Sequence, residues 1–307
     1  METGLIPAIV DCDPGTDDAI ALFLALASMD VRLVTVSGGN VPLDRTLANA
    51  RAVVGLAGKP VPVVAGADRP LLGHHRAETA VHGADGLGGV VLPDGPPVTP
   101  GVAADAIRAL LRDAAPRSVA AIALAPPTNL ALALATEPAL AGRLSGISIM
   151  AGAWGEGNWT PSAEYNAAMD PEALAMLLEA DVPITLVTLD LTAQALITPA
   201  VLAALPRDGA CARAARAILG AVPPSRRFDH AGFALHDPCA VAAVIAPAMF
   251  GFRQAAVRVD TGDGAARGRT HIDRWGRTAH AAKIRMAETL DAPRFFAMLA
   301  DALQRLP

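Results

Sequence analysis

Short runs of apolar and β-branched residues recur along the chain, and Ala- and Leu-rich stretches of helical length separate many of them. Runs that stay apolar throughout are typical of strands buried on both faces of a parallel sheet. Stretches such as 17–28, 47–55 and 103–114 are long enough for helices that cover such a sheet. The predicted strands are residues 7–13, 31–37, 61–65, 118–124, 146–150 and 182–189. The pattern therefore predicts an α/β fold with a mainly parallel central sheet flanked by helices.

The chain has 307 residues, which is enough for a substantial hydrophobic core. It shows no internal repeat, and no linker rich in Pro, Gly and Ser divides it. The Pro- and Gly-rich segment 93–101 is short enough to be a surface loop. We interpret residues 1–307 as a single domain.

The composition excludes several classes of protein. With 52% hydrophobic and 18% charged residues, the chain is neither disordered nor fibrous. A formal net charge of −5 gives no basic surface for nucleic acid or for anionic lipid. No apolar run reaches the roughly 18 to 20 residues that span a bilayer, and no signal peptide is visible. The cysteines Cys12, Cys211 and Cys239 fit neither a disulfide framework nor a zinc site, so a cytoplasmic enzyme is expected.

Polar residues follow four of the predicted strands at the point where each strand ends. Asp11 and Asp13 end the first strand, and Asn40 follows the second. Segments 125–129 and 151–159 follow the fourth and fifth strands. Ligands of parallel sheets bind at the carboxyl ends of the strands. The sequence therefore predicts a binding site at this edge of the sheet.

The segment DCDPGTDD, residues 11–18, concentrates four aspartates between a strand and a helix. Local structure explains part of it, because a Pro-Gly turn leads into the helix and Asp17 and Asp18 favour its positive N-terminal end. It does not explain Asp11 and Asp13 at the tip of a buried strand. Aspartates that converge in a low dielectric either take up protons or bind a cation. A hard, oxygen-binding ion such as Ca²⁺ or Mg²⁺ suits them best.

A second acidic feature is the segment FALHDPCAVAAVIAP, residues 233–247. Taken alone, Asp237 and Pro238 read as the cap and first residue of a helix, and His236 as an ordinary, partly buried histidine. Two other metal loops fit the first segment poorly. An EF-hand needs Glu at the twelfth position from Asp11, where Leu22 stands. A metal-dependent phosphohydrolase needs Lys or Arg beside the acids to hold phosphate, and this segment has neither.

Together these segments resemble the inosine–uridine-preferring nucleoside hydrolase family. DCDPGTDDAIAL is similar to the N-terminal signature of that family, and the further matches follow in the family's order. They are GGN ending at Asn40, PPTNLALAL from Pro126, GNWTPSAEYNAAMDPEA from Gly157, HDPCAVA from His236 and the weaker RGRTHID from Arg267.

The resemblance implies a Rossmann-like nucleoside hydrolase fold that binds one Ca²⁺ and a small-molecule ribonucleoside. The implied ligands of the ion are the side chains of Asp13, Asp18 and Asp237 and the backbone oxygen of Thr128. The implied substrate contacts are Asp17 on the ribose, together with Asn40, His82, Asn158, Glu164 and Asn166. His82 has an alternative interpretation as an exposed loop residue. The resemblance also implies a homodimer or homotetramer.

The chemistry expected of these residues is hydrolysis of the N-glycosidic bond to ribose and free base. Asp13 is suited to act as general base on a water bound to the ion. His236 is suited to protonate the departing base. Segment 223–230 departs from the relatives, which often present Tyr or Gln to the base, so the base preference stays open. The alternatives are hydrolysis of another N-riboside and a non-catalytic ribose- or nucleoside-binding protein.

Overall fold

A computed structural model describes residues 4–307. The strands are Pro7–Cys12 (β1), Asp30–Val36 (β2), Val63–Ala65 (β3), Val119–Ala123 (β4), Leu144–Met150 (β5), Ile184–Val187 (β6), Leu196–Ile197 (β7), Phe233–Ala234 (β8), Phe250–Val259 (β9), Thr270–Asp273 (β10) and Ile284–Leu290 (β11). The helices are Thr16–Ser28 (α1), Leu43–Leu56 (α2), Thr79–His82 (α3), Ala103–Asp113 (α4), Thr128–Thr136 (α5), Tyr165–Met169 (α6), Pro171–Glu179 (α7), Leu189–Thr192 (α8), Pro199–Ala204 (α9), Ala210–Ala221 (α10), Asp237–Ile245 (α11) and Ala292–Gln304 (α12). Short 3₁₀ turns cover Pro138–Arg143, Arg226–Phe228 and Pro247–Met249.

Nine of the strands form one sheet in the order β10-β9-β11-β6-β5-β4-β1-β2-β3. The six predicted strands are present as β1–β6 and pair in parallel. The pattern of apolar runs did not predict β9, β10 and β11. Strand β9 runs antiparallel to both of its neighbours, β10 and β11. Much of β9 is exposed, so its apolar and polar residues are mixed and no continuous apolar run marks it.

The alternation of side chains along β1 divides the core into two layers. Ala8, Val10 and Cys12 pack on the face covered by α1, α2, α10, α11 and α12. Ile9 packs on the opposite face with α4, α5 and α7. Both faces of β1 are therefore buried, which explains its uninterrupted apolar sequence. The predicted mainly parallel sheet flanked by helices is confirmed.

The strand order reverses at β1, which lies between β2 and β4. The chain runs outward from β1 through β2 to β3, and then resumes on the other side of β1 through β4, β5 and β6. Such a reversal opens a crevice at the carboxyl ends of the central strands. Helices α1 and α11 pack against each other. Helix α1 begins just after Asp13, and α11 begins with Asp237, so both bring aspartates to this crevice.

The three cysteines are free and buried in β1, α10 and α11, in agreement with the expectation that they form no disulfide. Between Gly4 and Pro307, none of the helices combines the length and the apolar character needed to cross a membrane.

Candidate active site

A cavity of about 510 Å³ opens at the carboxyl edge of the sheet. Eight of the predicted site residues line it: Asp17, Asn40, His82, Asn158, Glu164, Asn166, His236 and Asp237. They come from six separate parts of the chain, and the fold brings them together. Asp13, Asp18 and Thr128, which were also predicted, are not among the lining residues.

Asp18 is held by backbone and side-chain donors around the start of α1. Its Oδ1 accepts a hydrogen bond from the backbone N–H of Asp13 at 3.1 Å. Its Oδ2 accepts from the backbone N–H of Gly15 at 3.1 Å and from Nδ2 of Asn40 at 2.9 Å. Asp18 therefore caps its own helix, which agrees with the expectation that this aspartate favours the positive N-terminal end of α1. These three donors also fix the orientation of its carboxylate.

Asp13 is fully buried, but only one of its carboxylate oxygens has a partner. Oδ2 accepts from the backbone N–H of Asn40 at 2.7 Å, whereas Oδ1 has no hydrogen-bond partner. A Cβ atom on Gly39 would lie 1.8 Å from Oδ2, so only glycine leaves room for this carboxylate. Burial, and next the charge of Asp18, raise the pKa of Asp13 well above its usual value. An unpaired buried oxygen of this kind suits a cation or a proton to be transferred.

Three carboxylates form what we call the acid cluster: Asp17, Asp18 and Asp237. They offer oxygen atoms that all lie within 4.8 Å of one another. Burial, and next the charge of Asp17, raise the pKa of Asp18 to about 7 and that of Asp237 well above its usual value. Such mutual repulsion is relieved by a divalent cation, and an all-carboxylate donor set suits a hard ion. The cluster contains Asp17, which was expected on the sugar, while Asp13 lies beside it as a neighbour of Asp18.

The expected metal ligand Thr128 is buried and is not among the residues that line the cavity. Thr128 is the first residue of α5, where carbonyl groups point along the helix axis toward the next turn. Its hydroxyl donates to Oδ2 of Asp170 at 2.6 Å. Leu124, directly after β4, lines the cavity instead. Leu124 is the residue of segment 124–128 that lines the cavity, and the backbone oxygen of Thr128 stays a predicted ligand.

Glu164 and Asn166 form a buried polar wall of the cavity. The carboxylate of Glu164 accepts backbone N–H groups of Gly152, Asn166 and Ala167 at 2.9–3.0 Å. Burial raises the pKa of Glu164 to about 7, against these hydrogen bonds. The amide of Asn166 donates to the carbonyl oxygens of Leu124 and Met150 at 2.6 and 3.0 Å. This wall ties segment 164–166 to the ends of two central strands.

Asn158 lies at the more open side of the same wall. Its Oδ1 accepts the backbone N–H of Tyr165 at 2.9 Å, and the side chain is exposed at the cavity.

His82 is buried, with 8% of its surface exposed, so the interpretation as an exposed loop residue is wrong. Its Nδ1 accepts the backbone N–H of Thr16 at 3.1 Å. Because a backbone N–H can only donate, the neutral ring carries its own proton on Nε2. His82 therefore offers an N–H group in the cavity that it lines.

His236 has a different ring partner. Its Nδ1 lies 2.7 Å from the hydroxyl of Thr192, which itself donates to the carbonyl oxygen of Leu189 at 3.2 Å. When the hydroxyl donates to Leu189, Nδ1 of a neutral ring carries the proton; when it donates to Nδ1, the proton lies on Nε2, and the charged ring donates from both nitrogens. Burial lowers the pKa of His236, whereas the charge of Asp17 raises it.

A sequence model described as inosine-uridine preferring nucleoside hydrolase matches residues 8–297. The chain belongs to this family. It is 38% identical over 305 residues to the pyrimidine-specific ribonucleoside hydrolase RihA of Shewanella woodyi, with 97% of this chain and 98% of that protein covered. The nucleoside hydrolase is thus an N-glycosyl hydrolase that acts on ribonucleosides, which favours an enzyme over the non-catalytic alternative.

Solved structures agree with the fold of this nucleoside hydrolase. It resembles the plant nucleoside hydrolase PpNRh1 with a TM-score of 0.89 at 31% identity, covering 97% of this chain and 98% of that one. It resembles the purine-preferring ribonucleoside hydrolase from Gardnerella vaginalis with a TM-score of 0.88 at 27% identity, with the same coverage. The predicted family and nucleoside hydrolase fold are therefore confirmed.

Several residues of the nucleoside hydrolase site were not predicted from the sequence. Leu124 contributes a backbone carbonyl oxygen that accepts from Asn166, and Thr192 contributes a hydroxyl that contacts His236. Neither group is marked by a recognisable sequence motif. Arg227 lines the cavity from the segment that departs from the relatives. Two tryptophans of segment 151–159 are not among the lining residues: Trp154 packs on the guanidinium of Arg274, and Trp159 packs edge-on against Tyr165.

Proposed function

We propose that this nucleoside hydrolase is Ca²⁺-dependent and uses Asp13 as general base and His236 as the partner of the departing base. The carrying observation is the acid cluster beside the unpaired Oδ1 of Asp13, at one end of a cavity large enough for a nucleoside. Asp18 and Asp237 would hold the ion, with the third carboxylate supplied by Asp17 or Asp13. A bound Ca²⁺ supplies oxygen-coordination sites for ribose hydroxyls and lowers the pKa of water.

Asp13 takes a proton from the water that attacks the anomeric carbon. Its raised pKa makes the carboxylate a stronger base than an exposed aspartate, and its free Oδ1 is available to accept that proton. The neighbouring donor Asn40 holds the other oxygen, so the side chain needs no rotation before it reacts.

Glu164, Asn166 and Asn158 are proposed to bind the sugar. Cleavage of an N-glycosidic bond passes through a state with positive charge on the sugar ring. Carboxylates fixed around that ring favour the developing charge without reorganising. The hydrogen bonds from three backbone N–H groups hold Glu164 in place for this role.

His236 is proposed to donate to the departing base from Nε2. Thr192 contacts Nδ1, and Nε2 donates both in the charged ring and in the neutral tautomer whose Nδ1 accepts from that hydroxyl. The charge of Asp17 favours the charged ring, and burial opposes it. His82 adds a neutral N–H donor to the same cavity and is proposed to bind substrate.

The substrate class is proposed to be pyrimidine ribonucleosides. The RihA relatives are named pyrimidine-specific, and they cover nearly the whole chain. Hydrolysis of another N-riboside is the alternative, favoured by the unusual segment 223–230 that faces the cavity. The cytoplasmic location, the single domain and the homodimer or homotetramer stay predictions.

A panel of nucleosides tests the proposal. Uridine, cytidine, inosine and 2′-deoxyuridine are assayed for released reducing sugar, with and without EGTA. We expect uridine and cytidine to be preferred, and 2′-deoxyuridine to react about 100-fold more slowly or worse because a buried polar site is left unpaired. EGTA should lower the rate by about two orders of magnitude, and added Ca²⁺ should restore it.

Full activity in EGTA-treated protein that contains no metal would overturn the calcium dependence. Release of ribose from other N-ribosides but from no nucleoside would favour the alternative.

A further inference from the structure

Two loops meet at the base side of the cavity, and one side chain joins them. Arg227, in the 3₁₀ turn Arg226–Phe228, donates from Nη1 to the carbonyl oxygen of Gly157 at 3.2 Å. It donates from Nη2 to the carbonyl oxygen of Glu156 at 3.3 Å. The same side chain lines the cavity. Arg227 therefore spans the opening and is held there by two carbonyl groups.

Arg227 is the single Arg or Lys among the residues that line the cavity within the described chain. The charged lining is otherwise acidic: Asp17, Glu78, Glu156, Glu164 and Asp237. Arg227 and His236 line the same cavity, so the positive charge shares the pocket with the proposed partner of the leaving base. The same cavity is also lined by apolar residues, namely Pro223, Pro224, Phe228 and Phe233.

A guanidinium group carries five N–H donors, of which the two carbonyl contacts use two. Three donors therefore stay available for a substrate. When the bond between C1′ and the base nitrogen breaks, the base keeps the electron pair, the oxygen of water bonds to C1′, and the proton of that water goes to Asp13. In a pyrimidine that negative charge is shared between N1 and the adjacent carbonyl oxygen O2. A charged donor near that oxygen stabilises the departing base without transferring a proton.

We propose that Arg227 is a specificity-determining residue that donates hydrogen bonds to a carbonyl oxygen of the departing pyrimidine. This inference rests on the proposed function and extends it to the base side of the site. It gives segment 223–230 a cationic donor for the base, where the sequence offers no Tyr or Gln. The preferred substrates are ribonucleosides whose base carries a carbonyl group next to the glycosidic nitrogen.

The test compares two leaving groups in the full-length enzyme with Ca²⁺ present. Uridine needs stabilisation of its departing base, whereas the nitrophenolate of p-nitrophenyl riboside leaves readily. The variants are Arg227→Met, which removes the charge, and Arg227→Gln, which keeps an amide donor for the loop carbonyls. Arg227→Lys keeps the charge. Arg226→Met is the matched control, because Arg226 is an exposed neighbour that does not line the cavity.

We expect Arg227→Met and Arg227→Gln to lose about 10- to 100-fold in kcat/KM for uridine, the range for a charged hydrogen bond to a reacting group. The loss for p-nitrophenyl riboside should stay below about threefold. Arg227→Lys should retain part of the uridine activity, and Arg226→Met should match the wild type on both substrates.

Equal losses on both substrates would show that Arg227 only ties the loops together, and no loss would remove it from the site; either result overturns the proposal. If the wild type cleaves p-nitrophenyl riboside and the Arg227 variants keep the wild-type ratio of activity on uridine to activity on p-nitrophenyl riboside, this inference alone is overturned. A wild type that cleaves neither overturns the proposed function as well.

Discussion

The two ends of the cavity are built in different ways. At the acid end, Asp13, Asp18 and Asn40 are buried and hold each other through hydrogen bonds of 2.7–3.1 Å. These residues follow central strands or start a helix. At the base end, exposed loop residues face the cavity, and Arg227 joins two of the loops.

This difference in construction matches a division of roles, with hydrolysis at the acid end and recognition of the base at the base end. A position fixed by the centre of the sheet resists change, because moving it disturbs strands and helix starts together. A loop position changes with little cost to the fold. The hydrolytic end is therefore expected to be common to relatives that differ in base preference, such as the pyrimidine-specific and purine-preferring proteins named above.

The largest expected effect comes from Asp13→Asn at the acid end. The amide keeps the size of the side chain but accepts no proton, so kcat should fall by about two to four orders of magnitude. The fall should be similar for uridine and for p-nitrophenyl riboside, because the base acts on water and not on the leaving group. Steady-state kinetics on both substrates, with the bound calcium measured, checks this.

Asp11→Asn is the matched control for that experiment. Asp11 is equally buried, but it faces Thr35 and Asn129, and its Oδ1 accepts a hydrogen bond from each. Turnover per folded enzyme should stay within about threefold of the wild type. A calcium-loaded Asp13→Asn enzyme with wild-type turnover would remove Asp13 from the mechanism.

A smaller and selective effect is expected from His236→Ala at the base end. The loss of leaving-group assistance should lower kcat for uridine by about 10- to 100-fold, with a change below about threefold for p-nitrophenyl riboside. Thr192→Val removes the hydroxyl that holds Nδ1 and should give a weaker loss of the same selectivity. If both substrates lose equally in His236→Ala, the ring acts on the sugar or the fold and not on the base.

The smallest expected effect is a change with pH in the free energy of unfolding. It comes from buried carboxyl groups and not from the exposed arginines at the base end. Burial raises the pKa of Glu164 to about 7 and that of Asp11 to about 6. A carboxyl whose pKa is higher in the folded state stabilises the fold fully below its unfolded pKa, and this contribution is lost as the pH rises through the folded value. Without a cation, the free energy of unfolding should therefore fall by about 1–3 kcal/mol between about pH 4.5 and about pH 7.5.

Thermal unfolding across this range, in EGTA and in Ca²⁺, measures the effect. Burial also raises the pKa of Asp18 to about 7 and that of Asp237 well above its usual value. Calcium should flatten this part of the decline because it binds the charged form of the acid cluster, and Glu164→Gln should remove the separate share of Glu164 in EGTA. No change of slope between the two conditions would argue against an ion near these groups. Arg226→Met, at the base end, should leave the slope unchanged.

The sequence predicted most of the fold through its apolar runs. Strands β1–β6 carry continuous apolar residues because both of their faces are buried. Strands β9 and β10 do not, since they lie at an exposed edge, so their residues alternate in character without a clear pattern. The fold class could be read from the centre of the sheet, and its antiparallel extension could not.

The candidate site was predictable where a side chain itself carries the chemistry. Asp18, Asp237 and Glu164 stand in motifs whose residue types indicate their use. Leu124 does not, because a backbone carbonyl can belong to any residue, and for the same reason the backbone oxygen of Thr128 is a prediction from the family resemblance alone. Arg227 lies in an exposed loop, where neither periodicity nor charge alone distinguishes a lining residue from a solvated one.

The acid cluster joins Asp18, near the beginning of the chain, to Asp237, at the start of α11. A nascent polypeptide on the ribosome presents the first aspartates long before the last one emerges. The packing of α1 against α11 must be complete before all three carboxylates can share an ion. Ion binding by all three carboxylates therefore requires synthesis through α11, and a product that terminates before Asp237 would lack one of them.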